Sequence, residues 1–129
     1  MSDTVNTTQG AISGTNEGGL AVFRGIPYAA APTGANRWLP PQSHPGWDGV
    51  LEATTFGAES PQNPSPLDAM MGATGEPPAR DEDCLFLNVW TPGTDNAHRP
   101  VLFWIHGGGF TIGSGSGAVY DGQHLSREG

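Results

Sequence analysis

A histidine and three glycines, His106-Gly107-Gly108-Gly109, follow a strongly apolar run and could carry chemistry. Residues without a Cβ let a substrate approach the backbone closely, and they adopt the positive φ angles that direct two neighbouring N–H groups at one point. Two such groups could stabilise the negative oxygen of a tetrahedral intermediate in acyl transfer, where one donor typically contributes about 10²–10³ in rate. The alternative is that the three glycines only form a flexible turn.

Other chemistries of a glycine-rich loop fit the sequence less well. A Walker-type phosphate loop needs a lysine, whereas all five cationic residues here are arginines. The run GSGSG at 113–117 lacks the G-x-G-x-x-G spacing of a dinucleotide site. One cysteine, scattered histidines and no H-E-x-x-H motif offer no metal site, and the acidic triplet at 81–83 is expected to be a solvated loop with one ion-paired member. We therefore expect no metal and no cofactor.

Two apolar runs are predicted to be strands that position the glycine loop. LFLNVWTP at 85–92 predicts one strand, and VLFWIH at 101–106 predicts another, whose five consecutive apolar residues indicate burial on both faces. After the loop, AVYDGQHLSREG at 118–129 predicts the beginning of a helix.

The earlier part of the chain is predicted to contain a hairpin and two long irregular segments. TVNTTQGAISGT at 4–15 and LAVFRGIPYA at 20–29 flank the turn sequence NEGG, which indicates a hairpin or short meander. The Pro-rich segment from Pro27 to about Pro45 is predicted to be a surface loop pinned by Trp38 and Trp47. A second segment, 60–83, has an apolar run at 67–71 that could form one helical turn, and its length favours a lid or pocket wall.

Several ordered motifs resemble those of the type-B carboxylesterases, the family that includes bacterial p-nitrobenzyl esterases and cholinesterases. EDCLFLN at 82–88 is similar to the EDCLxLN signature of that family and lies at a matching distance from the glycine loop. Further similar segments are RGIPYA at 24–29, RW at 37–38, FGAESPQ at 56–62 and YDG at 120–122. Together these segments span nearly the whole chain.

The resemblance implies an α/β-hydrolase fold, with residues 1–129 forming the N-terminal part of a single such domain. This part would comprise an N-terminal β-hairpin and the first strands of a central, mostly parallel sheet. The resemblance also implies that Gly108 and Gly109 supply the oxyanion-hole amides, with Gly107 as a steric and turn residue.

The nucleophile, acid and base are expected to lie outside this chain. No G-x-S-x-G elbow occurs in the sequence, and Ser114 and Ser116 of GSGSG fall outside the register that the elbow requires. In related enzymes the catalytic base follows the nucleophile and the acid, so His106 is expected to support the glycine loop by hydrogen bonds instead.

Two further implications of the resemblance are structural. An ion pair is expected between Arg37 and Glu82, tying the early loop to the signature segment. Family members often pair the signature cysteine with another just before PQ, but Ser60 occupies that position here. Cys84 is therefore expected to be a free, buried and inert thiol.

The composition of the chain limits the classes of partner and the cellular compartment that we expect for this protein. The chain of 129 residues has 5 basic and 13 acidic side chains and a formal charge of −8, so it has no basic run for nucleic acid. Residues 1–20 lack a charged and an apolar signal region, and no stretch approaches the roughly 20 apolar residues of a membrane helix. With a single cysteine, the protein is expected to be cytoplasmic. Its expected partners are a small-molecule ester and the remainder of its own polypeptide.

The implied function is hydrolysis of carboxylic esters through an acyl-serine intermediate, with the isolated chain inactive. The main alternative is a non-catalytic cholinesterase-like protein that acts in binding or adhesion, as neuroligin-like proteins do. The lack of a signal peptide and of paired cysteines disfavours this alternative. A complete small binding domain and a disordered chain are the remaining alternatives.

Overall fold

The computed structural model describes residues 4–64 and 79–128. The strands in these ranges are β1 (Thr4–Asn6), β2 (Ala11–Ser13), β3 (Thr15–Glu17), β4 (Leu20–Pro27), β5 (Val50–Glu52) and β6 (Phe86–Thr91). The helical elements described are the 3-10 helices Gly34–Asn36 and Ala118–Tyr120 and the α-helix α1 (Gln123–Glu128). None of the helices in the described ranges has the length and apolar character needed to cross a membrane.

Strands β3 and β4 form the hairpin that the sequence predicts. Glu17 pairs with Leu20, which leaves Gly18 and Gly19 as a two-residue turn. Their φ angles are +60° and +89°, and two positive φ angles are what a type I′ turn requires. Strand β6 pairs antiparallel with the other edge of β4, so the sheet has the order β3-β4-β6. The strand predicted at 85–92 is therefore confirmed. The hairpin is present with other bounds than predicted, because Asn16 and Glu17 of the turn sequence NEGG belong to β3, while 4–13 forms β1 and β2.

A second three-stranded sheet has the order β1-β2-β5, with β1 antiparallel and β5 parallel to β2. Ala53, directly after β5, connects the two sheets. Its N–H donates to the Ser13 carbonyl at 2.8 Å, and its carbonyl accepts from the Arg24 N–H at 2.8 Å. Arg24 lies where the register between β4 and β6 shifts, between Phe23 and Ile26. This irregularity frees the Arg24 N–H for the second sheet.

The apolar core lies where the two sheets meet. Strand β4 begins with four consecutive buried residues, Leu20 to Phe23. Because successive side chains of a strand point to opposite faces, this part of β4 is covered on both sides. Fully burying a Val or Phe side chain stabilises a fold by roughly 1.5–3 kcal/mol. The cluster around β4 consists of buried Ile12, Ala21, Phe23 and Ala53, with Val5, Ile26, Trp47 and Leu51 packed against it.

The prediction of a buried strand at 101–106 is wrong. In the described part of the chain these residues pair with no strand, and the exposed fractions of Val101 to Ile105 range from 64% to 88%. A strand buried on both faces needs flanking strands and a covering layer, and residues 4–64 and 79–128 provide neither for this run. Trp104 of this run contacts Tyr120, with the two ring centroids 5.9 Å apart.

The predictions for the irregular segments have mixed outcomes. Trp47 anchors the Pro-rich loop, because its Nε1–H donates to the Ala11 carbonyl at 2.6 Å and its ring packs on the core. Trp38 does not pin the loop, since it is 94% exposed. The apolar run at 67–71 and the segment 65–78 as a whole lie outside the described residues, so the lid hypothesis stays a prediction.

The helix predicted within 118–129 is confirmed as the 3-10 helix Ala118–Tyr120 followed by α1. The Asp121 Oδ1 accepts from the Gln123 N–H at 2.8 Å and so satisfies a backbone donor at the beginning of α1. The Ser126 hydroxyl donates to the Trp90 carbonyl at 3.1 Å. These contacts fix α1 against β6 and place the end of the glycine-rich segment beside the sheet.

Candidate functional site

The glycine loop at 107–113 folds back on itself. The Gly108 carbonyl accepts hydrogen bonds from the Thr111 N–H at 3.1 Å and the Ile112 N–H at 3.2 Å. Gly108, Gly109 and Phe110 have φ angles of +126°, +60° and +61°. Consecutive positive φ angles are rare outside glycine, so the glycines at 108 and 109 permit the turn that this segment makes.

The N–H groups of Gly108 and Gly109 are free of protein acceptors within residues 4–64 and 79–128. Gly109 is exposed and Gly108 is half-buried. A Cβ on Gly108 would collide with the Ile112 carbonyl oxygen, whereas a Cβ on Gly109 would have no described atom within 4 Å. Two adjacent amides without a protein acceptor in these ranges can donate hydrogen bonds to an oxygen of a bound molecule.

His106 and Gly107 form the start of this loop. The His106 Nδ1 lies 2.7 Å from the Gly107 carbonyl oxygen, in line with the expectation that this histidine supports the loop. Gly107 does not have the expected steric role among the described residues. A Cβ there would meet nothing within 4 Å, and its φ lies outside the left-handed region.

The signature segment is tied to the glycine-rich segment by Asn88 of β6. Its Oδ1 accepts from the Gly25 N–H at 2.9 Å, and its Nδ2 donates to the Gly115 carbonyl at 3.2 Å. Gly25 itself packs closely, since a Cβ there would lie 2.6 Å from the Thr55 carbonyl oxygen. Two of the segments that carry the family resemblance, 24–29 and 82–88, therefore meet the glycine-rich segment around one amide side chain.

The two serines that follow the loop are engaged by a carboxylate. The Ser114 hydroxyl donates to Glu59 Oε1 at 2.5 Å, and the Ser116 hydroxyl donates to the same oxygen at 3.2 Å. Neither hydroxyl contacts an imidazole among the described residues, so neither has the base that an activated serine needs. The Gln62 side chain also binds this segment, at Gly113. Neither Glu59 nor Gln62 has a role predicted from the sequence, although both belong to the FGAESPQ segment.

The expected ion pair between Arg37 and Glu82 is confirmed. Both side chains are about half exposed, 52% and 43%, and such pairs contribute roughly 0–1 kcal/mol. A better-shielded pair joins Arg24 to Glu17, with Nη1–Oε1 and Nη2–Oε2 distances of 2.5 and 2.8 Å. Hydrogen bonds from Arg24 and, to a lesser extent, from the Thr15 hydroxyl lower the pKa of Glu17 to about 2.

Cys84 is half-buried rather than fully buried, and its thiol is free in the described structure. Burial raises the pKa of the Cys84 thiol, and the negative charges of Asp83, Asp81 and Glu82 raise the pKa further. Because the thiolate is the reactive form, this environment disfavours nucleophilic chemistry at Cys84.

Other features of the described residues do not form a competing site. A cleft of about 230 Å³ is lined by Arg24, Phe56, Trp90, Gly115, Ser116, Gly117, Ala118 and Asp121. It does not include the amides of the glycine loop. Residues 4–64 and 79–128 contain no group of three or more His, Cys, Asp or Glu side chains that could hold a metal ion.

Solved structures share this arrangement of elements. The chain superposes with a TM-score of 0.85 and 45% identity on carboxylesterase EST55 of Geobacillus stearothermophilus, covering 98% of this chain and 24% of that one. It superposes with a TM-score of 0.86 and 42% identity on a PNB esterase, covering 95% of this chain and 25% of that one. The fold is therefore the N-terminal portion of an α/β-hydrolase.

The family follows from the sequence comparison. The chain belongs to the carboxylesterase family, whose model matches residues 1–129. It is 47% identical to phenmedipham hydrolase of Pseudarthrobacter oxydans over 96% of this chain and 25% of that protein. It is 42% identical to para-nitrobenzyl esterase of Bacillus subtilis (strain 168) over 97% of this chain and 25% of that protein. The chain thus spans about a quarter of the length of these curated relatives.

Proposed function

We propose that this chain is the oxyanion-binding part of a longer serine carboxylesterase, called the full-length protein below, and that Gly108 and Gly109 are its oxyanion donors. The observation that carries the proposal is the pair of adjacent N–H groups without a protein acceptor in the described ranges. Family membership supports ester hydrolysis as the reaction class. In this proposal residues 1–129 precede the nucleophile elbow, because no G-x-S-x-G occurs in the sequence.

The amides act when charge develops on the substrate. A serine oxygen supplied by the rest of the polypeptide attacks the ester carbonyl carbon while the catalytic base takes the serine proton, and the carbonyl π electrons move onto the carbonyl oxygen. The two N–H groups stabilise this oxygen more strongly than the neutral carbonyl, which lowers the barrier. Collapse of the intermediate expels the alcohol, which takes a proton from the catalytic base, and water then releases the acid by the same route.

The proposed substrate, partners and cellular compartment rest on the relatives and on the composition of the chain. A small-molecule ester is the proposed substrate, in keeping with the para-nitrobenzyl esterase among the relatives. The formal charge of −8 and the lack of a run of basic residues argue against nucleic acid as a partner. The single cysteine suits a reducing compartment, which supports the cytoplasm as the place of action.

Turnover of p-nitrophenyl acetate tests the proposal. The purified 129-residue chain and the full-length protein are assayed side by side, with heat-unfolded protein as the blank. We expect turnover from the full-length protein and none above the blank from the short chain. Turnover by the short chain would contradict the proposal that the nucleophile, acid and base lie outside residues 1–129. An inactive full-length protein would contradict the esterase assignment and favour a binding role.

A further inference from the structure

Gln62 binds the glycine-rich segment with both ends of its side-chain amide. Its Oε1 accepts from the Gly113 N–H at 2.6 Å, and its Nε2 donates to the Gly113 carbonyl at 3.0 Å. Gln62 lies 51 residues before Gly113 in the chain. The two bonds satisfy both backbone groups of one residue, as a neighbouring strand would. They fix the position and the orientation of the Gly113 peptide groups.

Gly113 in turn contacts the beginning of the glycine loop. A Cβ placed on Gly113 would lie 2.7 Å from the Gly107 carbonyl oxygen and 2.8 Å from His106 Nδ1. Between these ends, the Gly108 carbonyl holds the Thr111 and Ile112 N–H groups. The two ends of the loop therefore lie close together, and we expect a displacement of Gly113 to move the residues that carry the two free amides.

The segment that carries Gln62 is itself fixed. The Arg80 Nη1–H donates to the Gln62 carbonyl at 2.9 Å, and Arg80 Nε lies 3.7 Å from Glu59 Oε2. Glu59 is 12% exposed in its side chain and accepts from the hydroxyls of Ser114 and Ser116. The Glu59 N–H donates to the Ala79 carbonyl, and the Asp81 N–H donates to the Glu59 carbonyl, so these two chain segments are held together. The backbone that carries Gln62 is thus held in place by hydrogen bonds and an ion pair.

We propose that Gln62 is a positioning residue for the oxyanion amides. By holding Gly113, it keeps the N–H groups of Gly108 and Gly109 directed at a common point before substrate arrives. This inference rests on the proposed esterase function for its catalytic consequence. A misplacement of about 1 Å at a reacting group costs on the order of 10²-fold in rate, and loss of one oxyanion donor costs about 10²–10³. Removing the Gln62 amide should therefore lower kcat by roughly 10- to 100-fold.

The test uses two variants of the full-length protein and a matched control. Gln62→Ala removes both side-chain bonds to Gly113 and the Nε2–H bond to the Ser60 carbonyl at 3.2 Å. Gln62→Glu keeps the side-chain size and the acceptor for the Gly113 N–H but loses the Nε2 donor. The control is Gln42→Ala, because Gln42 also donates its Nε2–H to a loop carbonyl, that of Pro40 at 2.6 Å. Each variant is measured for kcat and KM with p-nitrophenyl acetate, for melting temperature, and for deuterium exchange of peptides covering 107–116.

A positioning role predicts a specific combination of results. In both Gln62 variants kcat should fall by roughly 10- to 100-fold, KM should stay within about threefold, and exchange at 107–116 should accelerate, whereas Gln42→Ala should match the wild type. Unchanged exchange at 107–116, or a kcat within about twofold of wild type in both Gln62 variants, would overturn the inference. If the wild type itself shows no turnover, the proposed function fails, and the exchange data still decide whether Gln62 holds the loop.

Discussion

Gly109 and Gly34 form a matched pair for testing the oxyanion site. Their φ angles are +60° and +54°, and a Cβ on either residue would have no described atom within 4 Å. Replacement by alanine therefore imposes the same backbone cost at both positions, about 1–2 kcal/mol for an L-residue in the left-handed region. Only the alanine at 109 adds a methyl group beside the two free amides.

The rates should separate the two variants. In the Gly109→Ala full-length protein the methyl group occupies space that the substrate carbonyl needs, so kcat/KM should fall by about 10²–10³, or roughly 2.7–4 kcal/mol. In the Gly34→Ala protein kcat/KM should remain within about twofold of the wild type. Both variants should lose a similar amount of stability, because the strain is the same.

The assay is steady-state hydrolysis of p-nitrophenyl acetate, with the concentration of folded enzyme fixed by circular dichroism and calorimetry. Equal kcat/KM values for the two variants would refute the reasoning, because the methyl group at 109 would then have no catalytic cost. A larger loss of stability for Gly109→Ala than for Gly34→Ala would show that the backbone strain is not matched and that the rate loss reflects unfolding.

Three smaller predictions follow from the charged groups and the thiol. Arg37→Ala should lower the melting temperature of the full-length protein by at most about 2 °C, because the Arg37–Glu82 pair is half exposed. The value of kcat per folded molecule should be unchanged. A large loss of kcat at unchanged stability would contradict this prediction. Glu17→Gln should cost about 1 kcal/mol near neutral pH. The hydrogen bond from Arg24 lowers the folded-state pKa of Glu17 from 4.5 to about 2, so this contribution is present above the unfolded pKa and should vanish in urea titrations as the pH falls from 4.5 towards 2; a pH-independent difference would contradict it. Cys84 should react with a disulfide reagent at neutral pH several-fold more slowly than in the unfolded chain, because burial and its acidic neighbours raise the thiol pKa; equal rates would contradict this.

The sequence predicted those elements whose conformation is determined by interactions between residues close together in the chain. The β3–β4 hairpin follows from Gly18 and Gly19, because only glycine adopts both positive φ angles of its turn without strain. Strand β6 follows from its apolar run, and α1 from the residues after Tyr120. In each case the deciding interactions lie within a few residues of one another.

The run at 101–106 shows where a sequence pattern is insufficient. Five consecutive apolar residues indicate a segment that gains free energy when both faces are covered. They do not specify the strands and helices that would cover it, and residues 4–64 and 79–128 do not cover it. Trp38 is a similar case, because a large apolar side chain in a loop was expected to pack and is instead exposed.

At the candidate site, the glycine loop could be recognised from the sequence but its supports could not. The backbone conformation at 108 and 109 follows from residue type. The hydrogen bonds between Gln62 and Gly113 and between Asn88 and Gly25 connect residues 51 and 63 positions apart, and neither polar side chain carries a local sign of so distant a partner. The one sequence feature that pointed to these supports was the resemblance of FGAESPQ to the family segment. The glutamate and glutamine of this segment have no evident role in local structure, which suggests that they bind a distant part of the chain.

The measurement that tests the oxyanion assignment most directly is a crystal structure of the full-length protein inactivated by a phosphonate ester. The phosphoryl oxygen of such an adduct stands where the oxyanion forms. We predict that the nitrogens of Gly108 and Gly109 both lie about 2.7–3.1 Å from that oxygen. A distance beyond about 3.5 Å from either nitrogen, or an N–H group donating to a protein carbonyl instead, would contradict the account.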